Sequence, residues 1–351
     1  KALNDQDFTR LFVDDIIFYQ RPLKSKKSLI ADCPLEFYPY RDKDGVWKHR
    51  PIKCTPRSNP LFQEFRLWQF IQNLRIFLRE QKQENGKLKL DVDVTNQFLS
   101  TPEDYCDLFD WMKQKSDITQ KQLLAYPAFH LGKKTKDYRW NYVDDDKHTY
   151  PLCSTHHDIC QALKNVDGAP SLSTGQEENL WHILYSVDDR YELEKALCHF
   201  AEKYGLDSES FVNAFMTFKP FDNSYASYSE KAIKKMLPLM RTGRYWNVEG
   251  IDSHTLQRIE HLITGEADDN ISNSVREKCQ GLDQIEKYQF LPVWKVCYVV
   301  YNRHSEAIDT GRWSSPDDID NYLKSELRQG SLRNPVVESV LTESLRVVRD
   351  V

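Results

Sequence analysis

Residues 59–78 read Asn-Pro-Leu-Phe-Gln-Glu-Phe-Arg-Leu-Trp-Gln-Phe-Ile-Gln-Asn-Leu-Arg-Ile-Phe-Leu, and they predict a long helix. Pro60 occupies the first turn, where a proline is tolerated, and the apolar side chains that follow surround nearly the whole helix. Because a helix that is apolar on all sides must be buried, we expect it at the centre of a domain. Arg66 and Arg75 interrupt it and need a carboxylate, carbonyl or phosphate partner; an internal ion pair is the commonest arrangement.

Helical patterns continue on both sides of this segment and predict a mainly α fold with several subdomains. Asp-Gly-Ala-Pro-Ser at 167–171 interrupts the pattern, so we expect a first helical subdomain at 1–165, a second at 175–330 and a final helix at 331–351. Residues 31–60 are rich in proline and predict a loop with short strands at most. Residues 132–153 predict a small irregular or β-hairpin element. Further helices are expected at 3–19, after Thr101, after Thr119, from 175 to 218, and at 229–242, 252–263, 291–301, 317–328 and 335–350.

The composition is that of a globular protein. Apolar residues make up 40% of the 351 residues and charged residues 29%, which excludes a disordered chain. No run approaches a membrane span of about 18 apolar residues. The formal net charge of -5 disfavours a nucleic-acid binder that uses its whole surface, although local basic patches can still do so. The first residue is Lys1, which predicts a piece of a longer chain, and the scattered cysteines predict reduced thiols in the cytoplasm.

The segment 229–244, Ser-Glu-Lys-Ala-Ile-Lys-Lys-Met-Leu-Pro-Leu-Met-Arg-Thr-Gly-Arg, predicts a helix with two different faces. Ser229 can cap its start, Gly243 can end it, and Pro238 should bend it. Its apolar face consists of Ile233, Met236, Leu237 and Met240. Its basic face has no matching acids and consists of Lys231, Lys234, Lys235 and Arg241. Such a face suits a polyphosphate backbone; an ordinary solvated lysine face is the alternative.

A second basic cluster lies near the N-terminus. It has four positive charges within seven residues and no acid among them: Arg21, Lys24, Lys26 and Lys27. A loop of this kind can contact phosphate groups. The composition is equally consistent with a loop whose charges only improve solubility.

One further cluster carries potential zinc ligands. Cys153, His156, His157 and Cys160 have the right chemistry for Zn²⁺, but no second Cys or His pair lies at the distance seen in zinc fingers, which disfavours a metal site. The sequence also lacks the Gly-x-Gly-x-x-Gly, Walker, Gly-x-Ser-x-Gly and His-Glu-x-x-His motifs. No residue set therefore predicts catalysis, and no cofactor is expected.

Five segments appear in an order that resembles one family. Residues 16–36 contain Gln-Arg-Pro and end in Cys-Pro-Leu-Glu; residues 65–76 end in Asn-Leu-Arg-Ile; residues 229–243 contain Lys-Ala and Pro-Leu-Met; residues 301–306 read Tyr-Asn-Arg-His-Ser-Glu; residues 333–337 read Arg-Asn-Pro-Val-Val. Together they resemble the type II CRISPR RNA-guided DNA endonucleases (the Cas-nine family), especially the compact type II-C members of Bacteroidetes type.

The resemblance implies an α-helical recognition lobe that begins after the family's bridge helix and stops before its second RuvC segment. Such a lobe holds the guide RNA (crRNA and tracrRNA) and the guide–target DNA heteroduplex through backbone shape. Nothing resembles the family's nuclease residues, so the resemblance implies no catalysis here, Mg²⁺ only in the absent nuclease domains, and those domains as partners. Carried over residue by residue, the implied phosphate contacts are Arg21, Lys24, Lys26, Lys27, Arg75, Lys231, Lys234, Lys235, Arg241 and Arg244.

A second class of function stays open at this point. A helical scaffold without nucleic-acid binding could hold protein partners on an aromatic-rich surface that includes Trp140, Trp246 and Trp313.

Overall fold

A computed structural model describes residues 30–82, 87–145, 147–168, 170–222, 224–268, 271–305, 315–325, 327 and 335–350. The predicted helix at 3–19 and the cluster Arg21, Lys24, Lys26 and Lys27 lie outside these residues. The chain divides into two compact units, one up to His304 and one from Ser305 onward. The subdomain boundaries expected from the sequence pattern stay a prediction.

The fold is mainly α, as the sequence predicts. None of the helices in the described part of the chain combines the length and the apolar character needed to cross a bilayer. The α-helices are α1 (Pro60–Asn73), α2 (Thr95–Phe98), α3 (Pro102–Lys113), α4 (Gln120–Leu124), α5 (Ser154–Leu163), α6 (Thr174–Ser186), α7 (Arg190–Tyr204), α8 (Ser208–Phe215), α9 (Glu230–Met240), α10 (Ser253–Thr264), α11 (Asn273–Lys278), α12 (Val293–Tyr301), α13 (Pro316–Ser325) and α14 (Pro335–Asp350).

Short antiparallel sheets accompany the helices. The strands are β1 (Asp32–Arg41), β2 (Trp47–Lys53), β3 (Ile76–Lys82), β4 (Leu88–Asp93), β5 (Asp117–Ile118), β6 (Tyr138–Trp140) and β7 (Tyr150–Pro151). β1 pairs with β2, β3 lies between β4 and β6, and β5 pairs with β7. The predicted β element at 132–153 is therefore present, but its two strands, β6 and β7, join different sheets instead of pairing with each other.

The centre of the first unit is α1, as its apolar circumference predicts. The helix packs against α3, α5, α6 and α9, so neighbours surround it on several sides. Trp68 and Ile71 are fully buried, and the Trp68 ring stacks on Phe109 with ring centres 4.3 Å apart. Asn59 caps the helix, because its side chain accepts a hydrogen bond from the Leu61 amide at 2.8 Å.

The predicted end of this helix at Leu78 is wrong. α1 ends at Asn73, Leu74 has extended backbone angles, and β3 begins at Ile76. The backbone amides that would continue the helix donate hydrogen bonds to side chains elsewhere in the chain instead. The Arg75 amide donates to the Asn141 side chain at 2.8 Å, and the Ile76 amide donates to Thr95 Oγ1 at 2.9 Å. Tertiary hydrogen bonds thus outweigh local helical periodicity.

A second hydrophobic core lies within the first unit. It joins α5, α6, α7 and α8 through buried side chains that include Ile159, Leu180, Leu197 and Phe211. Gly205 ends α7 with a φ of 67°, a left-handed backbone angle that favours glycine. In the second unit α13 and α14 contact each other, and Arg349 pairs with Asp320 at 2.7 Å.

Candidate nucleic-acid interface

The two faces of α9 lie as the sequence predicts. Ser229 Oγ accepts the Ala232 amide at 3.3 Å and caps the helix. The apolar side chains Ile233, Met236, Leu237 and Met240 are all buried. Burial of this face leaves the lysine side chains directed away from the core, where Lys231 is 51% and Lys234 is 55% exposed.

These lysines line a groove between α9 and the first two strands. The groove has a volume of about 660 Å³. We call it the lysine groove; its walls include Tyr38 from β1, Lys53 from β2, and Lys231, Lys234 and Lys235 from α9. Glu230 and Asp252 also line it, so the groove carries both signs of charge with more cations than anions.

The expectation that the basic face has no matching acids is wrong. Lys231 and Lys235 both pair with Glu36, at 2.8 and 2.5 Å, and Lys234 pairs with Glu230 at 2.6 Å. The sequence pattern missed Glu36 because it comes from a strand almost two hundred residues earlier. Ion pairs between exposed side chains are worth about 0–1 kcal/mol, so a phosphate group can displace Glu230 from Lys234 at little cost.

Glu36 is a buried carboxylate, with 5% of its surface exposed, that contacts two of the lysines lining the groove. Besides the two lysines, the Tyr301 hydroxyl donates to it at 3.0 Å. Burial opposes its ionisation, but the hydrogen bonds from Lys231, Lys235 and Tyr301 outweigh that effect and lower the pKa of Glu36. The ionised carboxylate therefore joins β1, α9 and α12.

A hairpin that the sequence analysis missed extends from the groove. The predicted loop at 31–60 is wrong, because β1 and β2 pair over most of their length, with Tyr38 opposite Arg50 and Tyr40 opposite Lys48. The prolines that suggested a loop are tolerated here because the two strands form a separate two-stranded sheet. The pair Asp44-Gly45 could have predicted the turn of this hairpin, because Asp-Gly is common in such turns and Gly45 has a φ of 77°.

The hairpin exposes aromatic rings beside cations. Tyr38 is 57%, Tyr40 43% and Trp47 61% exposed, and the Arg41 guanidinium lies 4.8 Å from the centre of the Trp47 ring. Exposed rings next to positive charges are the combination with which proteins bind unpaired nucleotides. Tyr38 also lines the lysine groove. Because alternate side chains of a strand share a face, Tyr40 lies on the same face as Tyr38, whereas Arg41 and its partner Trp47 lie on the opposite face. The Tyr38 and Tyr40 face of the hairpin therefore continues the groove.

The predicted arginines do not line the lysine groove. Arg75 is exposed, and its guanidinium donates to the carbonyls of Gln72 and Leu74 at 3.1 and 2.7 Å, at the end of α1. Arg241 makes a two-pronged ion pair with Glu64, at 2.7 and 3.0 Å. Arg244 contacts Asp110, and it pairs with Glu103 and Asp107 at 2.9 Å each. A phosphate role for these three residues stays a prediction.

Gly243 brings Arg244 to these acids. Its φ of 50° favours glycine, and a Cβ there would lie 2.8 Å from Cys106 Sγ. The predicted end of the helix at Gly243 is displaced, since α9 ends at Met240 and Arg241 caps it.

The four potential zinc ligands do not converge. His156 Nδ1 binds Glu177 at 2.7 Å, and His157 binds Asp158 at 3.0 Å. Cys153 is buried, which raises the pKa of its thiol to about 12 and keeps it protonated. Among the described residues no group of three or more His, Cys, Asp or Glu is placed to hold a metal ion.

The fold buries part of the aromatic surface that a protein scaffold would use. Trp140 is fully buried, and its indole nitrogen donates to the Val143 carbonyl at 2.7 Å. Trp246 is half-buried, and Trp313 lies outside the described residues. Trp140 therefore offers no surface to a partner.

Solved structures of Cas9 proteins are similar to this chain. Campylobacter jejuni Cas9 in complex with sgRNA and target DNA is 18% identical, with 68% of this chain and 25% of that chain covered and a TM-score of 0.36. Streptococcus thermophilus Cas9 in complex with the GGAA PAM is 17% identical, with 80% of this chain and 26% of that chain covered and a TM-score of 0.38. The type II-C Cas9 enzyme from Actinomyces naeslundii is 17% identical, with 67% of this chain and 21% of that chain covered and a TM-score of 0.33.

The chain thus spans about a quarter of the length of these proteins or less. No protein-family model and no curated protein matches it. Similarity at these identities and TM-scores does not establish a shared function.

Replacing Glu36 with glutamine should destabilise the protein. The change keeps the side-chain shape but leaves Lys231 and Lys235 without their shared counter-charge, and we expect a loss of about 2 kcal/mol in urea unfolding at neutral pH. The matched control is Glu230→Gln, whose carboxylate is 46% exposed and should cost less than about 1 kcal/mol. Equal small losses in both variants would contradict the role given to Glu36.

The pair of His156 and Glu177 should make stability depend on pH. Burial alone would lower the pKa of His156, but hydrogen bonds to Cys160 and Glu177 raise it to about 9. Because this value lies above that of an unfolded histidine, about 6.5, the stabilisation is complete below pH 6.5 and is lost as the pH rises through about 9.

Urea unfolding of the unaltered chain and of His156→Gln checks this pair. The stability difference between them should be about 1–3 kcal/mol near pH 6 and should shrink toward pH 10. His182→Gln, at an exposed histidine on α6, is the control and should show no such trend. A difference for His156→Gln that stays constant over this range would rule the charged pair out.

Proposed function

We propose that this chain is a nucleic-acid-binding module, the recognition lobe of an RNA-guided DNA endonuclease similar to the compact type II-C proteins of Bacteroidetes type. The observation that carries the proposal is the surface formed by the lysine groove and the adjoining face of the β1–β2 hairpin, which presents Tyr38 and Tyr40. Exposed ammonium groups on α9 suit phosphates, and exposed rings on the hairpin suit unpaired bases.

A second observation supports the proposal. Three of the five sequence segments that resemble the family meet at Glu36: Glu36 itself ends the first, Lys231 and Lys235 belong to the third, and Tyr301 begins the fourth. Arg303 of the fourth segment also donates to the Pro34 carbonyl in the first. The segments therefore form one physical cluster beside the groove, as parts of one binding surface would.

The proposed module binds and does not catalyse. Lys231, Lys234 and Lys235 would neutralise backbone phosphates of a guide RNA duplex, which gives affinity that depends on salt and little on sequence. Recognition of A-form shape would let the same surface hold a guide RNA–target DNA heteroduplex. Nucleases with their Mg²⁺ would be separate partner domains, and this chain would supply no group to the cleavage step.

Changing Lys231 and Lys234 to glutamine tests the groove. These two lysines are the most exposed of the three on α9, and Lys235 remains to hold Glu36. We expect several-fold weaker binding of an A-form RNA duplex for every sequence tried. The slope of log affinity against log salt should fall by about 1–2, because up to two phosphate contacts are lost. Fluorescence anisotropy over a salt series measures both quantities.

The control is a charge-matched variant, Lys121→Gln with Lys203→Gln, at exposed lysines that do not line the groove. If both double variants weaken binding and lower the salt slope equally, the effect is one of net charge, and the groove is not the binding site.

A further inference from the structure

Arg66 is a cation on the central helix α1 for which the described part of the chain supplies no counter-ion. Its Nη2 donates to the Leu152 carbonyl at 2.5 Å, and its guanidinium lies 5.6 Å from the centre of the Phe62 ring. Its Nε is buried and has no hydrogen-bond partner. The internal ion pair expected from the sequence is wrong, because no carboxylate among the described residues pairs with Arg66.

The charge of Arg66 lowers the stability of the folded chain, because burial removes water from it and no carboxylate among the described residues replaces that water. Burial lowers the pKa of Arg66, and the nearby charge of Arg57 lowers it further. An arginine nevertheless stays protonated in proteins, so the chain holds a partly desolvated charge with one carbonyl contact. Uncompensated buried charges cost several kcal/mol, and a buried polar group without a partner in a native structure requires an explanation, of which a bound ion is one.

Arg66 lies at the wall of a cavity of about 540 Å³. Arg57 and Lys219 share that wall, and both are exposed. Arg57 Nε donates to the Tyr225 carbonyl at 3.0 Å, and neither residue forms an ion pair within the described part of the chain. The acids on this wall are Asp158, which binds His157, and Asp222. Three cations therefore face two carboxylates.

The start of α5 adds to the positive character of the cavity. Ser154, the first residue of this ten-residue helix, lines the wall. The preceding Cys153 makes no capping hydrogen bond with its side chain; instead Gln63 Oε1 accepts from the Thr155 amide at 3.0 Å. The positive end of the helix dipole is thus directed to the same space as Arg66. The fork of donors on an arginine guanidinium matches two oxygens of a phosphate group at once.

We infer that this cavity binds a phosphate group, with Arg66, Arg57 and Lys219 as its cationic ligands. It shares no lining residue with the lysine groove, so the inference is independent of the proposed function. The phosphate is a free ion, the end of a nucleic acid or part of its backbone. All three present the same oxygens to the guanidinium groups.

Thermal unfolding of the full chain with inorganic phosphate tests the site. At constant ionic strength, replacing chloride by about 10 mM phosphate should raise the unfolding midpoint by about 2 °C or more. Arg57→Gln with Lys219→Gln changes only exposed side chains and should abolish the rise, whereas the control Lys121→Gln, at an exposed residue outside the cavity, should keep it. No rise up to about 50 mM phosphate, or an equal rise in the double variant, would overturn the inference.

Arg66→Met gives a second, opposite signature. It removes the uncompensated charge and should leave the midpoint in chloride unchanged or higher, while the response to phosphate is lost. A large drop of that midpoint in a folded variant would show that Arg66 stabilises the protein without a ligand and would contradict the account. If this variant does not fold, the double variant decides alone.

Short RNA oligonucleotides with and without a 5′-phosphate identify the source. If both compete with inorganic phosphate equally, the ligand is a backbone phosphate. If only the phosphorylated one competes, the ligand is a terminal phosphate, and if neither competes it is the free ion. Each of these results supports the site, and the lysine-groove variants should leave all of them unchanged.

Discussion

The burial of α1 among helices on several of its sides is the constraint from which the rest of the first unit follows. Once this helix is central, its few polar side chains must find partners among its neighbours. Gln72 donates to the carbonyls of Met240 and Leu291, each at 3.0 Å, and Glu64 holds Arg241. These contacts fix α9 against α1 by its C-terminal end, which leaves the basic side of α9 facing the strands.

The sequence predicted local features well and distant pairings poorly. The mainly α class, the central position of α1 and the apolar face of α9 followed from periodicity alone. The early end of α1, the β1–β2 hairpin and the acid partners of the lysines did not, because each depends on residues far away in the chain. Glu36 is the clearest case: no local pattern connects it with Lys231 and Lys235, although it determines the charge of the groove.

Glu36 also links stability with the proposed binding. A buried carboxylate that holds two lysines keeps the hairpin against α9 and, at the same time, reduces the positive charge that a phosphate would meet. Lys234 pairs with the exposed carboxylate of Glu230, so it can exchange that carboxylate for a phosphate without a change in the core. Arg66 presents the reverse situation, since no carboxylate among the residues that the structure describes pairs with it, and the inferred phosphate would supply that partner.

The most direct test of the central claim is fluorescence anisotropy of the unaltered chain with an RNA duplex and with a DNA duplex of the same sequence, each at roughly 50 and 200 mM salt. The account predicts binding that weakens steeply with salt and that favours the A-form RNA over the B-form DNA. Absence of RNA binding at both salt concentrations, or equal affinity for the two duplexes, would contradict it.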